Sequence, residues 1–285
     1  MPEDPRSSVA RTNMNDTRTR PEVTELLTLH VLRRETVTPG MARVTLGGGD
    51  AERFRYLGHD QWFRLFLPVS EDSLSRLPNK LDTIAYLKYL AIAKTSRPVL
   101  RNYTVRAYRP DGPQGPEIDV DLVLHGSTED GTAGPAATWA QTCSPGDAVA
   151  ILDEGCTYAA TDRHGSIVLV ADETGLPAVA GILGSLPADA RGLALIEIGR
   201  AEDRQDVTAP EGVEVRWLVR DDPHDLPGVL ALAAVEALPV PAEPFYAWVV
   251  GESALATGAR RHWVRAGVPK EDITFCGYWK APKRR

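Results

Sequence analysis

Apolar residues recur along this chain in two rhythms, and the change between them falls near residue 160. Before it, short apolar runs are separated by Gly, Pro and Asp, the mark of strands joined by turns. Residues 26–34, 42–46, 61–68, 117–125 and 147–153 read as strands, with Thr38-Pro39-Gly40 and Gly47-Gly48-Gly49-Asp50 as breakers. Together they predict a small antiparallel β-barrel. Residues 81–94 depart from this rhythm. There Ile84, Leu87, Leu90 and Ala91 recur at helical spacing and predict an amphipathic helix plugging one end of the barrel, with a wall of a ligand cleft as the alternative. Residues 134–143 read as a loop leading into a short helix that carries Trp139.

After residue 160, strands alternate with helices. Residues 166–171, 193–198, 214–219, 245–251 and 273–278 read as strands, and 175–186, 228–237 and 253–266 as helices. This predicts a parallel α/β domain with its ligand at the carboxyl ends of the strands. The expected division is a disordered tail over 1–22, a barrel over 23–158 and an α/β domain over 159–285. The tail is polar and rich in Arg, Thr and Ser, with Met14 an alternative natural start.

Composition narrows the chemistry. The 285 residues carry a net charge of −7, which gives no general attraction to nucleic acid or to an anionic membrane. Cys143, Cys156 and Cys276 are odd in number and far apart, which points to a reducing cytoplasm and excludes a disulfide framework. No Cys-x-x-Cys pair or His spacing suggests a bound metal. Neither a secretory signal nor a membrane-spanning run is expected.

The most informative stretch is Arg101-Asn102-Tyr103-Thr104-Val105-Arg106. Strand alternation puts Arg101, Tyr103 and Val105 on one face and Thr104 and Arg106 on the other. Arg101 can pair with a phosphate, Tyr103 can cover a ring or bond a polyol, and the Thr104 hydroxyl can bond a heterocycle nitrogen. These are the requirements for holding a flavin dinucleotide; a barrel strand with an exposed Arg pair is the plainer reading. A helix start at Gly134, Ala136, Ala137 and Thr138 offers unpaired N–H groups to a pyrophosphate.

In order with this stretch come residues 118–126 (Ile-Asp-Val-Asp-Leu-Val-Leu-His-Gly), 134–140 (Gly-Pro-Ala-Ala-Thr-Trp-Ala), Pro145-Gly146-Asp147, 172–178 (Asp-Glu-Thr-Gly-Leu-Pro-Ala) and Gly277-Tyr278-Trp279-Lys280. As an ordered set over about residues 25–280 they resemble the siderophore-interacting proteins, a branch of the ferredoxin-NADP reductase-like flavoproteins. The resemblance implies a two-domain fold and FAD held by Arg101, Tyr103, Thr104, Val105, Asp121, Val123, His125, Gly134, Ala136, Ala137, Thr138 and Trp279. The family often has Ser where this chain has Ala137. His125 is equally readable as a structural histidine at a strand end, and Trp279 as the last core aromatic.

For a nicotinamide cofactor the resemblance implies Asp172, Glu173 and Thr174, although Gly-x-Gly-x-x-Gly is absent, so the two acids shape the turn or approach the flavin edge. Arg200 and Arg204 sit where a ribose 2′-phosphate would bind and favour NADPH over NADH; a solvated charge run explains them as well. The implied substrate is an anionic ferric siderophore, received by Lys280 and Arg64, with Arg261 or Arg265 completing the patch. The expected activity is FAD-dependent ferric-siderophore reduction in the cytoplasm by NADPH or NADH, with ferredoxin as another possible donor and Thr104 tuning the flavin. A flavoprotein reductase feeding another redox protein and a non-catalytic siderophore-binding protein are the alternatives. DNA-binding regulation lacks both motif and charge.

Overall fold

Seven strands form the first sheet of the computed structural model, which describes residues 18–70, 72–80, 83–126 and 131–282. They are β1 (Leu27–Thr38), β2 (Met41–Gly47), β3 (Trp62–Leu67), β4 (Val99–Thr104), β5 (Ala107–Gly112), β6 (Gly115–Val123) and β7 (Ala148–Gly155). Their order is β4-β3-β7-β1-β2-β6-β5, and every pairing is antiparallel. The two edges meet because the chain passes from β4 to β5 through Val105 and Arg106. The Val105 N–H donates to Gln61 O (2.8 Å) and the Arg106 N–H to Asp119 O (2.8 Å). Alternate residues face inward, so Leu27, Leu29, Val31, Phe63, Leu65, Ile118, Val120 and Leu122 fill one apolar cluster. Each such side chain contributes about 1.5–3 kcal/mol by leaving water. On the outer face, Glu117 lies under Arg33 and Arg109, and the Arg33 hydrogen bond holds its carboxyl below the ordinary range.

Two expectations change here. The strand β5 was not foreseen, because Arg109-Pro110-Asp111-Gly112 is polar and turn-rich, as an edge strand half in water can be. The helix predicted over 81–94 forms as α1 (Thr83–Ala91), but it does not plug the barrel. Ile84 (67% exposed), Leu87 (61%) and Leu90 face solvent, and Tyr89 is the anchor. The Tyr89 ring meets Phe66 edge-on on the barrel's outer face, and its hydroxyl donates to Pro98 O (2.8 Å). The plug is instead α2 (Pro135–Thr142), whose Ala136 and Ala140 join the barrel's interior cluster.

The second sheet is parallel, with β8 (Ser166–Ala171), β9 (Gly192–Ile198), β10 (Val213–Val219), β11 (Phe245–Glu252) and β12 (Ile273–Trp279) in the order β10-β9-β8-β11-β12. On one face α3 (Leu176–Ser185) packs on Leu169, Ile196 and Trp248. The other face carries α4 (Val229–Ala237) and α5 (Ser253–Arg265) over Val170, Leu195 and Val249. Met41 and Val123 of the barrel pack into the α3 cluster, so the two sheets share apolar surface.

Polar contacts close the same seam. Asp203, buried, accepts from Thr38 Oγ1 (2.9 Å) and the Gly40 N–H (2.7 Å) of the β1–β2 turn. Asp60, also buried, accepts from the backbone N–H groups of Thr157 and Tyr158 in the link between the sheets. Residues 1–17 and 283–285 lie outside the described residues, and with them the Met14 expectation. Arg18 and Thr19, however, sit inside the predicted tail and are paired with the barrel: Thr19 exchanges two backbone hydrogen bonds with Cys156 (3.0 Å each). The tail reading is corrected there.

Candidate flavin and nicotinamide site

The strand β4 follows the predicted alternation. Tyr103 and Val105 pack with the barrel interior, while Thr104 is buried on the opposite face. Desolvation pushes the Tyr103 phenol up to about 12, with the nearby Arg101 guanidinium pulling the other way. Tyr103 is therefore a neutral hydrogen-bonding group at any working pH. Arg101 is exposed and donates to Leu100 O (2.8 Å); among the described residues no carboxylate lies within ion-pair distance of it.

The helix α2 packs beside β4. Gly134 is its N-cap, no side chain caps the helix, and Pro135 occupies the first turn. The N–H groups of Ala136 and Ala137 therefore have no intrahelical partner. Ala136 and Ala137 are buried by their side chains, and Thr138 is half-buried. His125, at the end of β6, lies over Gly134: a Cβ on that glycine would come within 3.2 Å of His125 Nε2. A free guanidinium and an uncapped helix start fit the pyrophosphate of a dinucleotide. Val123 lines the seam between the sheets. Asp121 serves another end: its buried carboxylate is held by Arg43 (2.6 and 2.9 Å) and Arg106 (3.4 Å), so it supports the strand rather than presenting itself to a ligand.

At the carboxyl ends of the parallel strands, Asp172 is fully buried and accepts four hydrogen bonds. The donors are the Thr174 N–H (2.9 Å) and hydroxyl (2.5 Å), the Glu252 N–H (2.7 Å) and Trp279 Nε1 (3.0 Å). One carboxylate thus ties the ends of β8, β11 and β12. Desolvation nonetheless raises it to about 6, opposed by the Thr174 bond and reinforced by Glu173. The chain comes so close at Gly251 (φ 124°) that a Cβ there would lie 2.5 Å from Asp172 Cγ. Glu173 receives both amino groups of Arg220 (2.9 and 2.7 Å), which also reaches the buried Glu197 (2.9 Å). Of the two roles foreseen for these acids, shaping the turn is the one seen. Trp279 is committed to Asp172 through its indole N–H.

Arg200 and Arg204 follow β9, exposed and without a carboxylate within ion-pair distance among the described residues. Asp203 between them is no solvated charge but the buried latch to the barrel.

The two halves meet at Tyr278. The residue is 40% exposed, and its hydroxyl lies within reach of the Thr104 side chain. There desolvation, and then Asp60 and Cys276, hold the phenol well above its ordinary range. Neither this pairing nor the Arg220 pair was foreseen; a tyrosine beside a tryptophan gives no hint of which strand of another sheet it will touch. Lys280, two residues on, is exposed at the same end of β12. Arg64 shares the outer face of β3 with Trp62, which lies opposite Thr104, and it pairs with Glu154 (2.7 Å).

Arg261 and Arg265 do not join this group. The helix α5 starts at the carboxyl end of β11 and runs back to the amino end of β12, which carries Arg261 about 12 Å and Arg265 about 18 Å away from the Lys280 end. Their shared helix face was foreseen, but its direction depends on the parallel connection. They are removed from the substrate patch.

The family profile of the siderophore-interacting FAD-binding domain matches residues 30–158, and that of the siderophore-interacting protein matches 164–282. The ferric vibriobactin reductase ViuB of Vibrio cholerae is 31% identical over 261 residues, covering 90% of this chain and 89% of its own. This chain belongs to the siderophore-interacting protein family. A siderophore utilization protein from T. fusca has the same fold (TM-score 0.72, 31% identity, 92% of this chain and 96% of that one). The NADPH-dependent ferric-chelate reductase of Escherichia coli is 25% identical over 257 residues, covering 89% of this chain and 92% of its own. An FAD-binding barrel followed by a parallel α/β unit is the ferredoxin-reductase-like architecture. No described helix is long and apolar enough to cross a membrane.

Proposed function

We propose that this siderophore-interacting protein is an FAD-dependent ferric-siderophore reductase that takes electrons from NADPH, or NADH, and delivers them to Fe(III) in the cytoplasm. The observation that carries the reading is the meeting of Thr104, on the flavin strand, with Tyr278, two residues before Lys280. In this reading it joins the flavin cradle to the carboxyl ends of a dinucleotide-type sheet and to Lys280, which has no ion-pair partner among the described residues.

A bound flavin supplies the exchange between a two-electron donor and a one-electron acceptor. Arg101 and the N–H groups at the start of α2 hold its pyrophosphate, with Gly134, Ala136, Ala137 and Thr138 forming the turn and His125 beside it. Tyr103 and Val105 form the wall of the cradle, Val123 closes it toward the second sheet, and the Thr104 hydroxyl is the hydrogen-bonding group on its far side. Thr174 and the start of α3 receive the nicotinamide dinucleotide, and Arg200 and Arg204 its 2′-phosphate, which forked guanidinium bonds suit. Lys280 and Arg64 attract an anionic ferric chelate. No side chain needs to act as acid, base or nucleophile. Hard siderophore oxygens hold Fe(II) less well than Fe(III), so reduction leads to release.

The test is the visible spectrum of the purified protein under anaerobic NADPH, followed by a ferric siderophore. Bleaching by NADPH and recovery on adding the chelate are expected. A flavin that neither NADPH nor NADH bleaches moves the donor to ferredoxin or another protein. Protein that stays colourless with added FAD overturns the reductase reading in favour of a binding protein.

A further inference from the structure

Of the cluster Arg18–Glu154–Arg64, only Arg64 has a place in the reading above. Arg18 Nη1 contacts Glu154 Oε2 (2.5 Å), and Arg64 Nε contacts the other oxygen, Oε1 (2.7 Å). One buried carboxylate is thus shared by two guanidiniums. With Arg64 alone, Glu154 would cancel the charge; with Arg18 present, two cations face one anion and a positive charge is left over. The Nε of Arg18 is buried and, among the described residues, has no hydrogen-bond partner.

Arg18 is held in place by backbone geometry. Thr19 pairs with Cys156 through two hydrogen bonds (3.0 Å each). This docking needs the glycine beside it: Gly155 has φ 77°, and a Cβ there would lie 1.8 Å from Thr19 O. The segment therefore lies along the end of β7, next to Arg64 on β3.

The cluster also lies on the right face. Arg64 is opposite Asn102 and Trp62 opposite Thr104, so Arg64 and Thr104 project to the same side of β3 and β4 as diagonal neighbours, roughly 7–8 Å apart. Thr104 meets Tyr278, and Lys280 follows at that end of β12.

We propose that Arg18 is a specificity-determining residue of the substrate face, which frees the charge of Arg64 for an anionic metal chelate by sharing Glu154. The proposal rests on the reading of that face as the ferric-siderophore site. It assigns the N-terminal segment a part in substrate selection by charge.

The experiment measures binding separately from turnover. Full-length protein with its flavin is titrated with two redox-inert gallium complexes, the anion Ga(III)–EDTA and the neutral Ga(III) tris(acetohydroxamate). Arg18→Gln should weaken the anion roughly fivefold and leave the neutral complex unchanged, Glu154→Gln should tighten the anion by a similar factor, and Arg18→Lys should restore most of the wild-type affinity. Equal weakening of both complexes makes Arg18 a structural strap and overturns the proposal. So does an unchanged affinity for the anion, or no binding of either complex by the wild type. Reduction of Fe(III)–EDTA by NADPH is followed in parallel: its absence in a protein that still shows the gallium pattern sinks the reductase reading and leaves the role of Arg18 intact.

Discussion

The two candidate cradles use their charges in opposite ways. In the barrel, Arg101 has no carboxylate partner among the described residues and the start of α2 has no side-chain cap, an arrangement open to an anion. At the carboxyl ends of the parallel sheet, Arg220 is spent on Glu173 and Glu197, and Asp172 is spent on four donors. An open cradle suits a dinucleotide that stays bound. A cradle whose buried charges are already satisfied suits a cofactor that arrives and leaves, because removing it returns only the exposed Arg200 and Arg204 to water.

The sharpest way to break this contrast is Arg101→Ala. It should reduce flavin content at least tenfold, read from the ratio of flavin to protein absorbance, with the fold retained by circular dichroism. Flavin retained in full would mean that the barrel cradle is not organised around that cation.

Next in size is Gly251→Ala, which tests the rigidity of the other cradle. A Cβ at φ 124° pressed against Asp172 should cost about 2–4 kcal/mol in urea unfolding while leaving flavin content in the folded protein unchanged. A neutral result would show that the Asp172 junction is loose.

Asp172 also carries a pH signature. Its folded value of about 6 is raised above the unfolded carboxylate range, so the native state binds the proton more tightly than the unfolded chain does. Ionisation therefore costs the native state stability as pH rises from about 4 through 6, by roughly 3 kcal/mol at most. The stability of Asp172→Asn minus that of wild type should grow more favourable over that window. A flat difference would mean that the carboxylate is paid no desolvation penalty.

The smallest effects concern the substrate face. Lys280→Ala should raise the KM for an anionic ferric chelate several-fold while sparing flavin content, whereas Arg261→Ala and Arg265→Ala should leave both unchanged. Equal effects from all three would place the patch at the wrong end of α5.

Much of this molecule was legible in the chain. Punctuated apolar runs specified the barrel strands, and longer runs alternating with helical periods specified the parallel sheet, because burial on one face or two leaves a local imprint. Arg101, Tyr103 and Thr104 could be assigned to faces from alternation alone. The side of α1 could not: Ile84, Leu87 and Leu90 mark a helix, but Tyr89 chose the surface it packs on, since periodicity says nothing about which neighbour is available.

What the sequence by itself determined is therefore local: strand faces, helix starts, the break between the two rhythms and the residue types at the flavin strand. What only the tertiary structure decided is every relation between elements distant in the chain. Tyr278 meets Thr104, Trp279 meets Asp172 and Arg18 meets Glu154, each across more than a hundred residues, and Arg64 reaches the same Glu154 from another strand. Arg265 is separated from Lys280 by fifteen positions and yet lies at the opposite end of the sheet. The physical reason is that a parallel strand–helix–strand connection reverses direction twice, so nearness in sequence and nearness in space come apart where a site assembled from two domains is built.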